Sequence, residues 1–378
     1  MVSSFKLSSL KQRRPQDTLQ MGNGSDPFQD HGFDLLLCEN HLGSGLTFAG
    51  LVFMFMIMIT SLFGNTLVCI ASVKFSYLHS YSEHFIVSLA LSDIMVAVFV
   101  LPFDVIYWIT FPRWPLGGYV CNLWNASFFL FLTASVLNLT AISIDRYLAV
   151  VYPLRYTIWM TSKVAKSMIA SVWLYSFSIA ILLLFLLDPP KDETYSFDLN
   201  PFVHGFLLIG NVIFPFLIMM ILYFKIYTIA KGHAQRTGVN TMTSSNRASS
   251  VASSRTTSFG RELRIAKMLG IVVLCFVICW LPFEIINVVI LIDEGVETCA
   301  VELVDTVTCW LAYLHSSLNP LLYAFTGSEF RRAFRKLLCR REWRTGAELS
   351  HSQSNAAKRR PAGSVSDMKA QEISSLHL

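Results

Sequence analysis

Of the 378 residues, 53% are apolar, only 15% are charged and 29 are phenylalanine, a usage far from that of a soluble globular domain. The formal net charge of +5 is small, and its distribution along the chain reads as a membrane-topology signal, which excludes nucleic acid as its explanation.

The first 46 residues are polar and lack the short apolar core of a cleavable signal peptide. The first apolar stretch is therefore expected to insert as its own signal. Asn23-Gly-Ser25 is a glycosylation sequon in this tail. Seven stretches then follow that are long enough to cross ~30 Å of hydrocarbon at about 1.5 Å per residue: roughly 47–72, 83–106, 119–144, 164–187, 202–229, 265–292 and 303–325. The predicted fold is an all-α membrane protein, a seven-helix transmembrane bundle over 47–325. No internal repeat and no alternating barrel pattern is visible.

The loops give the orientation. After the second, fourth and sixth stretches come Asp104 and Arg113, then Asp188, Lys191, Asp192, Glu193 and Asp198, then Asp293, Glu294, Glu297 and Glu302. The opposite side carries Arg155, Lys163 and Lys166, then Lys231, Arg236, Arg247, Arg255, Arg261 and Arg264, then Arg331, Arg332, Arg335, Lys336, Arg340 and Arg341. The basic side is cytoplasmic by the positive-inside bias, which puts the amino terminus outside and the carboxyl terminus inside; the membrane expected is the plasma membrane. Asn125-Ala-Ser127 and Asn138-Leu-Thr140 also match the sequon but fall within the third stretch and are expected to stay unmodified.

Residues 237–258 hold twelve serines and threonines and almost no large apolar side chains, so the third cytoplasmic loop, about 232–260, is expected to be disordered. Arg247-Ala-Ser249 and Arg255-Thr-Thr-Ser258 resemble sites for basophilic kinases. Over 326–342, "SEFRRAFRKLLC" spaces Phe330, Phe334, Leu337 and Leu338 on one helical face with arginines on the other. This is an interfacial amphipathic helix resting on lipid, with Cys339 a palmitoylation candidate. A polar tail, 343–378, follows. Eight cysteines show no CxxC or Cys/His metal spacing.

Three groups of residues carry chemistry. Asp93 is an ionisable group inside an apolar span, and such groups normally face the bundle interior or water; Ser135, Asn319 and Asn65 are candidates to satisfy it. Asp145 and Arg146 sit together where the third stretch ends, and Glu262 of "RELRIAK" is a candidate to pair with Arg146 across the bundle. Such a pair either ties two helices or only anchors depth at the interface. Pro215, Pro282 and Pro320 each remove a backbone donor and bend a helix. Pro282 follows Trp280 by two residues and Pro320 follows Asn319, which marks hinges.

One marker per span completes a pattern: Gly64-Asn65; "LALSD" ending at Asp93; Cys121 with Asp145-Arg146-Tyr147; Trp173; Pro215 and Tyr223; "FVICWLP" from Phe276 to Pro282; and "NPLLY" from Asn319 to Tyr323. Over roughly 47–340 the chain resembles the rhodopsin-like (class A) G-protein-coupled receptors. Within them "RELRIAKMLGIVV", "CWLAY" and "SSLNPLLYAF" are most similar to the biogenic-amine group, dopamine-, octopamine- and trace-amine-like. The resemblance implies a receptor that passes an extracellular signal to a heterotrimeric G protein through a cleft opening at the cytoplasmic side. Arrestin, receptor kinases and membrane lipid are the further partners it implies, with a small extracellular ligand of unknown identity. Asp145, Arg146, Tyr147, Tyr223, Glu262, Asn319, Pro320 and Tyr323 are the implied coupling and switch residues. A sodium ion at Asp93, Ser135 and Asn319 is the one non-protein group it implies, although His315 stands where most relatives have asparagine. The alternative for this cluster is a hydrogen-bonded polar core.

The implied ligand pocket comprises Phe128, Phe129, Leu132, Asn211, Trp280, Phe283, Glu284, Asn287, Cys309, Trp310 and Tyr313. Phe128 stands where amine receptors place the aspartate that pairs with ligand ammonium, and Glu284 is expected to take over as the charged anchor. A buried carboxylate needs a partner, and three are open to it: His204, a cationic ligand, or its own proton. Residues 188–203 lack the usual loop cysteine, so Cys121 is expected to pair with Cys38 or Cys299, or to remain a thiol. A constitutively active receptor without its own ligand is the alternative function, and a transporter the remote one, since inverted repeats and broken helices are not visible. No GxSxG, HExxH or phosphate-cradling loop suggests an enzyme. No lysine lies in the seventh stretch to hold retinal.

Overall fold

The computed structural model describes residues 44–75, 81–110, 114–188, 199–243, 250–292 and 299–338. Asn23, Cys38 and Cys339 lie outside the described residues, as does the Cys299 side chain. By backbone proximity the chain divides at Arg331/Arg332, and the bundle belongs to the first unit.

The described residues form helices α1 (Ser44–Lys74), α2 (Tyr81–Phe99), α3 (Leu101–Thr110), α4 (Gly118–Val151), α5 (Pro153–Trp159) and α6 (Ser162–Leu186). There follow α7 (Pro201–Leu208), a π turn (Ile209–Ile213), α8 (Phe214–Thr243), α9 (Ser250–Ile292), α10 (Cys299–Thr326) and α11 (Ser328–Leu338). Prolines and caps set the boundaries. Pro102 has no N–H to continue the ladder, so α2 breaks at Val100 and α3 restarts from its carbonyl. Gly117, at φ 80°, admits the left-handed turn into α4, and its carbonyl accepts from Trp114 Nε1 at 2.9 Å. Thr161 and Asn200 cap α6 and α7 with their side-chain oxygens.

Among the described residues, six helical runs are long and apolar enough to cross a membrane: Gly45–Lys74, Tyr81–Thr110, Gly118–Val151, Ser162–Leu186, Pro201–Gly232 and Glu262–Ile292. The seventh rod, α10, has 28 residues, about 42 Å at the helical rise. It is more polar than the other six because Asp305, His315, Ser316, Ser317 and Asn319 face inward on it. Contacts close the rods into a ring, α1 on α2, α2 on α4, α4 on α6 and α8, α8 on α9, α9 on α10, and α10 back on α1. Helix α4 is the central rod: 78% of its apolar window is buried, against 22% for α1. Phe63, Phe185 and Phe214 on the outward faces are exposed, as side chains facing hydrocarbon are. A Cβ on Gly64 would lie 2.8 Å from the Pro320 ring, so this glycine lets α1 approach α10.

Three expectations are corrected. Asp104 is no loop residue: it lies in α3 within the second rod, 3% exposed. Helix α4 runs on to Val151, so Asp145, Arg146 and Tyr147 sit within a helix whose hydrogen bonds outlast its apolar stretch. Most of the segment expected to be disordered, 237–258, is helical, in α8 to Thr243 and in α9 from Ser250. Once a long helix is nucleated, each further residue adds a hydrogen bond at little cost. Asn125 and Asn138 are 1% and 0% exposed inside α4, closed to glycosylation.

Candidate functional site

At one end of the bundle, between α4, α7, the π turn and α9, lies a partly open cavity whose non-atom space, open solvent included, is about 460 Å³. Phe128, Phe129 and Leu132 of α4 form one wall, with Asn125 above them. His204, Leu207, Leu208 and Val212 form the second, and Phe283, Glu284 and Asn287 of α9 the third. Of the residues predicted for the pocket, Phe128, Phe129, Leu132, Phe283, Glu284 and Asn287 line it. The others do not. Trp280 forms a layer beneath, packed on Phe128 and Phe283 with ring centroids 6.2 and 6.1 Å away. Asn211 turns to α6 and accepts from the Tyr175 hydroxyl at 2.8 Å. Trp310 packs edge-on to Trp108, and Cys309 is buried on the same helix. Tyr313 reaches α3, where its hydroxyl donates to Asp104 Oδ2 at 2.8 Å.

The displacement of Asn211 has a local cause. Pro215 cannot donate to a carbonyl one turn back, and the Phe214 N–H bonds instead to Ile209, five residues back. The wide turn that results rotates every side chain on its amino-terminal side.

Glu284 is 4% exposed and forms no hydrogen bond or ion pair with any described residue. His204 shares the cavity without bonding to it, so the His204 pairing open to the sequence is not made. What remains is an anionic or protonated acid among three phenylalanines, a concave and mostly apolar site with few polar groups. Cys121 is buried, with its sulfur 3.7 Å from Asn125 Nδ2.

At the other end, Arg146 is 3% exposed and holds four partners. Its Nε and Nη2 donate to Asp145 Oδ2 at 2.9 and 2.5 Å, and Nη1 donates to Glu262 Oε2 at 3.0 Å. Nη2 also contacts the Ser82 hydroxyl, which donates to Asp145 Oδ2 at 2.6 Å. The Tyr156 hydroxyl of α5 donates to Asp145 Oδ1 at 2.8 Å and lies 3.4 Å from Nη2. Burial first, and the Asp145 charge second, raise the Tyr156 phenol above its usual range, so it stays a donor. Helices α2, α4, α5 and α9 are thus tied through one guanidinium. Tyr147 stacks edge-on to Tyr152 and lies under Lys225. Tyr223 packs with it against Val150, Ile226 and Ala266. Among the described residues the Tyr323 hydroxyl has no hydrogen-bond partner, and the Tyr323 ring stacks on Phe330.

A polar path runs inward from beneath the cavity. Trp280 Nε1 donates to His315 Nδ1 at 2.9 Å, His315 Nε2 faces Asp93 Oδ1 at 3.5 Å, and Asn319 Nδ2 donates to Asp93 Oδ2 at 2.8 Å. Ser135 does not reach Asp93; its hydroxyl donates to Ser92 at 3.0 Å. Asn65 donates to Ser61 and to the Ser316 carbonyl at 2.9 Å. Sequence reasoning missed Ser82 and Tyr156, and gave Asn125 no role beyond an unmodified sequon. Pro153, which starts α5 and returns Tyr156 to Asp145, was the signal for one of them.

Residues 64–323 match the family described as 7 transmembrane receptor (rhodopsin family). The D(1A) dopamine receptor of Xenopus laevis is 35% identical over 324 residues, 76% of this chain and 71% of the relative. The D(1)-like dopamine receptor of Takifugu rubripes is 35% identical over 323 residues, 76% and 69%. The Alpha-1A adrenergic receptor of Homo sapiens is 33% identical over 302 residues, 73% and 64%. With a ring of membrane-length helices, a cavity at one end and a guanidinium-centred tie at the other, the chain belongs to the rhodopsin family of G-protein-coupled receptors, within its biogenic-amine group.

Proposed function

We propose that this receptor responds to a small cationic, biogenic-amine-like molecule entering the cavity from outside the cell. Glu284 replaces, as the anchor for the ammonium group, the aspartate that amine receptors carry at the position of Phe128. The observation that carries this is a buried carboxylate with no partner among the described residues, on the wall of a mostly apolar, aromatic cavity. An unpaired buried charge is costly, and a ligand ammonium offsets that cost while Phe128, Phe129 and Phe283 surround it with ring faces. Ligand contact with Phe128 and Phe283 bears on Trp280, which packs against both. From there the hinges at Pro282 and Pro320 carry motion to the Arg146 end. That end faces the cytoplasm, where the opened cleft takes up a heterotrimeric G protein. Receptor kinases and arrestin act on the same face, α11 rests on lipid, and the amino-terminal tail is outside.

The test is a panel of small arylalkylamines, each matched with a neutral isostere, read through G-protein activation sensors in cells. The amines activate the receptor and the neutral partners do not. Glu284→Gln, which keeps shape and removes charge, lowers amine potency by about tenfold or more at unchanged surface expression. Equal potency of amine and isostere, or an unaltered Glu284→Gln response, defeats the reading.

A further inference from the structure

The expectation of sodium rests on Asp93, Ser135 and Asn319, and the atoms around the Asp93 carboxylate decide whether they fit the ion. A hard cation is held by a shell of oxygen lone pairs. Asp93 instead meets hydrogens. Asn319 donates to Oδ2 at 2.8 Å, and the edge of the His315 ring fills the space before Oδ1, with Nε2 3.5 Å away. The Ser135 hydroxyl is engaged with Ser92 at 3.0 Å. The carboxylate oxygen left without a bond of ordinary length is Oδ1, and the His315 ring stands in front of it.

The imidazole's neighbours also fix which hydrogen it presents. Nδ1 lies 2.9 Å from the Trp280 indole N–H, which can only donate, and 2.7 Å from the Ala312 carbonyl, which can only accept. A neutral ring protonated on Nε2 satisfies Trp280 and Asp93. A doubly protonated ring satisfies Ala312 and Asp93. The remaining state, a proton on Nδ1 alone, keeps Ala312 and lets the Ser316 hydroxyl, 3.4 Å away, donate to Nε2, but it sets a bare nitrogen against the carboxylate and an N–H against the indole N–H. In both states that serve Asp93, Nε2–H points at it.

We propose that the central polar site of this receptor is closed to sodium by His315, whose Nε2–H stands against Asp93 where the ion would bind. Its Nδ1 edge joins the same carboxylate to Trp280 under the cavity. The link from cavity floor to Asn319 is then made of protein alone, and sodium does not bias it. This holds whatever the ligand is, since it rests on the geometry about Asp93.

The test is thermal unfolding of the purified full-length receptor in lipid nanodiscs, in sodium chloride against potassium chloride, each at about 0.15 M. The parent melts at the same temperature in both salts. His315→Asn, which removes the ring and supplies a carbonyl oxygen, gains a sodium-specific rise of about 2 °C or more. His315→Ser, smaller and with a hydroxyl oxygen, gains one too, and either variant suffices if the other does not fold. Basal G-protein activation in membranes is the second readout: it is equal in the two salts for the parent and lower in sodium for the variants. A sodium-specific rise in the parent overturns the proposal. So do folded variants that remain as indifferent to sodium as the parent, and if neither variant folds the parent alone decides.

Discussion

Replacing Glu262 by glutamine removes one charge from the Arg146 tie and leaves the rest in place. The 3.0 Å contact corresponds to a gross Coulomb attraction of about 5 kcal/mol at an effective dielectric near 20. Little of that is net. Glu262 is 31% exposed, so water competes for it, and holding a long side chain in one rotamer costs entropy. Arg146 keeps Asp145 at 2.5 Å, the Ser82 hydroxyl and the edge of Tyr156, so no buried guanidinium is left bare. A net loss of ~1–2 kcal/mol follows, all of it from the closed state, because the contact joins α4 to α9. While the open fraction is small, that loss multiplies it by roughly 5 to 30. Basal activation, measured with a panel of G-protein sensors at matched surface expression and without ligand, should rise by a factor in that range. An unchanged basal output would show that α9 is held closed by something else and refute the reasoning.

Tyr156→Phe removes the donor to Asp145 Oδ1 and should raise basal activity more modestly, a loss of about 1 kcal/mol. Because the phenol is held above its usual range, its bond persists below the ordinary tyrosine range near pH 10 and fails only as pH climbs past the raised value; basal activity at pH 6 and 8 should therefore show no step that Tyr156→Phe removes. Gly64→Val drives carbon into the Pro320 ring, 2.8 Å from the first added atom, and should lower thermal stability by ~1–3 kcal/mol in a nanodisc melt. Tyr313→Phe leaves Asp104 buried without its 2.8 Å donor, and a stability loss of ~1–3 kcal/mol should appear as reduced surface expression and an earlier melt.

The helices were legible because long apolar runs have few alternatives in lipid, and the markers at Gly64, Arg146, Pro282 and Asn319 each have a local cause that sequence alone exposes. Contacts made between helices were not legible. Asp104 reads as a loop acid because a charge ends an apolar count, yet Tyr313, 209 residues later, supplies the bond that lets it stay buried. Asn211 came to the pocket through the family resemblance, whereas the π turn at Ile209–Ile213 and the bond from Tyr175 turn it to α6. Ser135 fails to meet Asp93 because Ser92, one residue before it on α2, takes its hydroxyl first. Glu284 was found because an acid among apolar residues violates the local pattern, and such violations collect at functional sites.

The wide turn before Pro215 also decides what the receptor rejects. With Asn211 turned toward Tyr175, the wall that the fifth rod offers the cavity is Leu207, Leu208 and Val212, with His204 at its upper edge. A ring hydroxyl aimed at that wall gives up its water and meets carbon, at a cost of about 1–3 kcal/mol. For the amine ligand proposed above, selectivity would arise by exclusion: at the same anchor, a molecule with a bare aromatic ring should outcompete its hydroxylated analogue by roughly 5- to 150-fold.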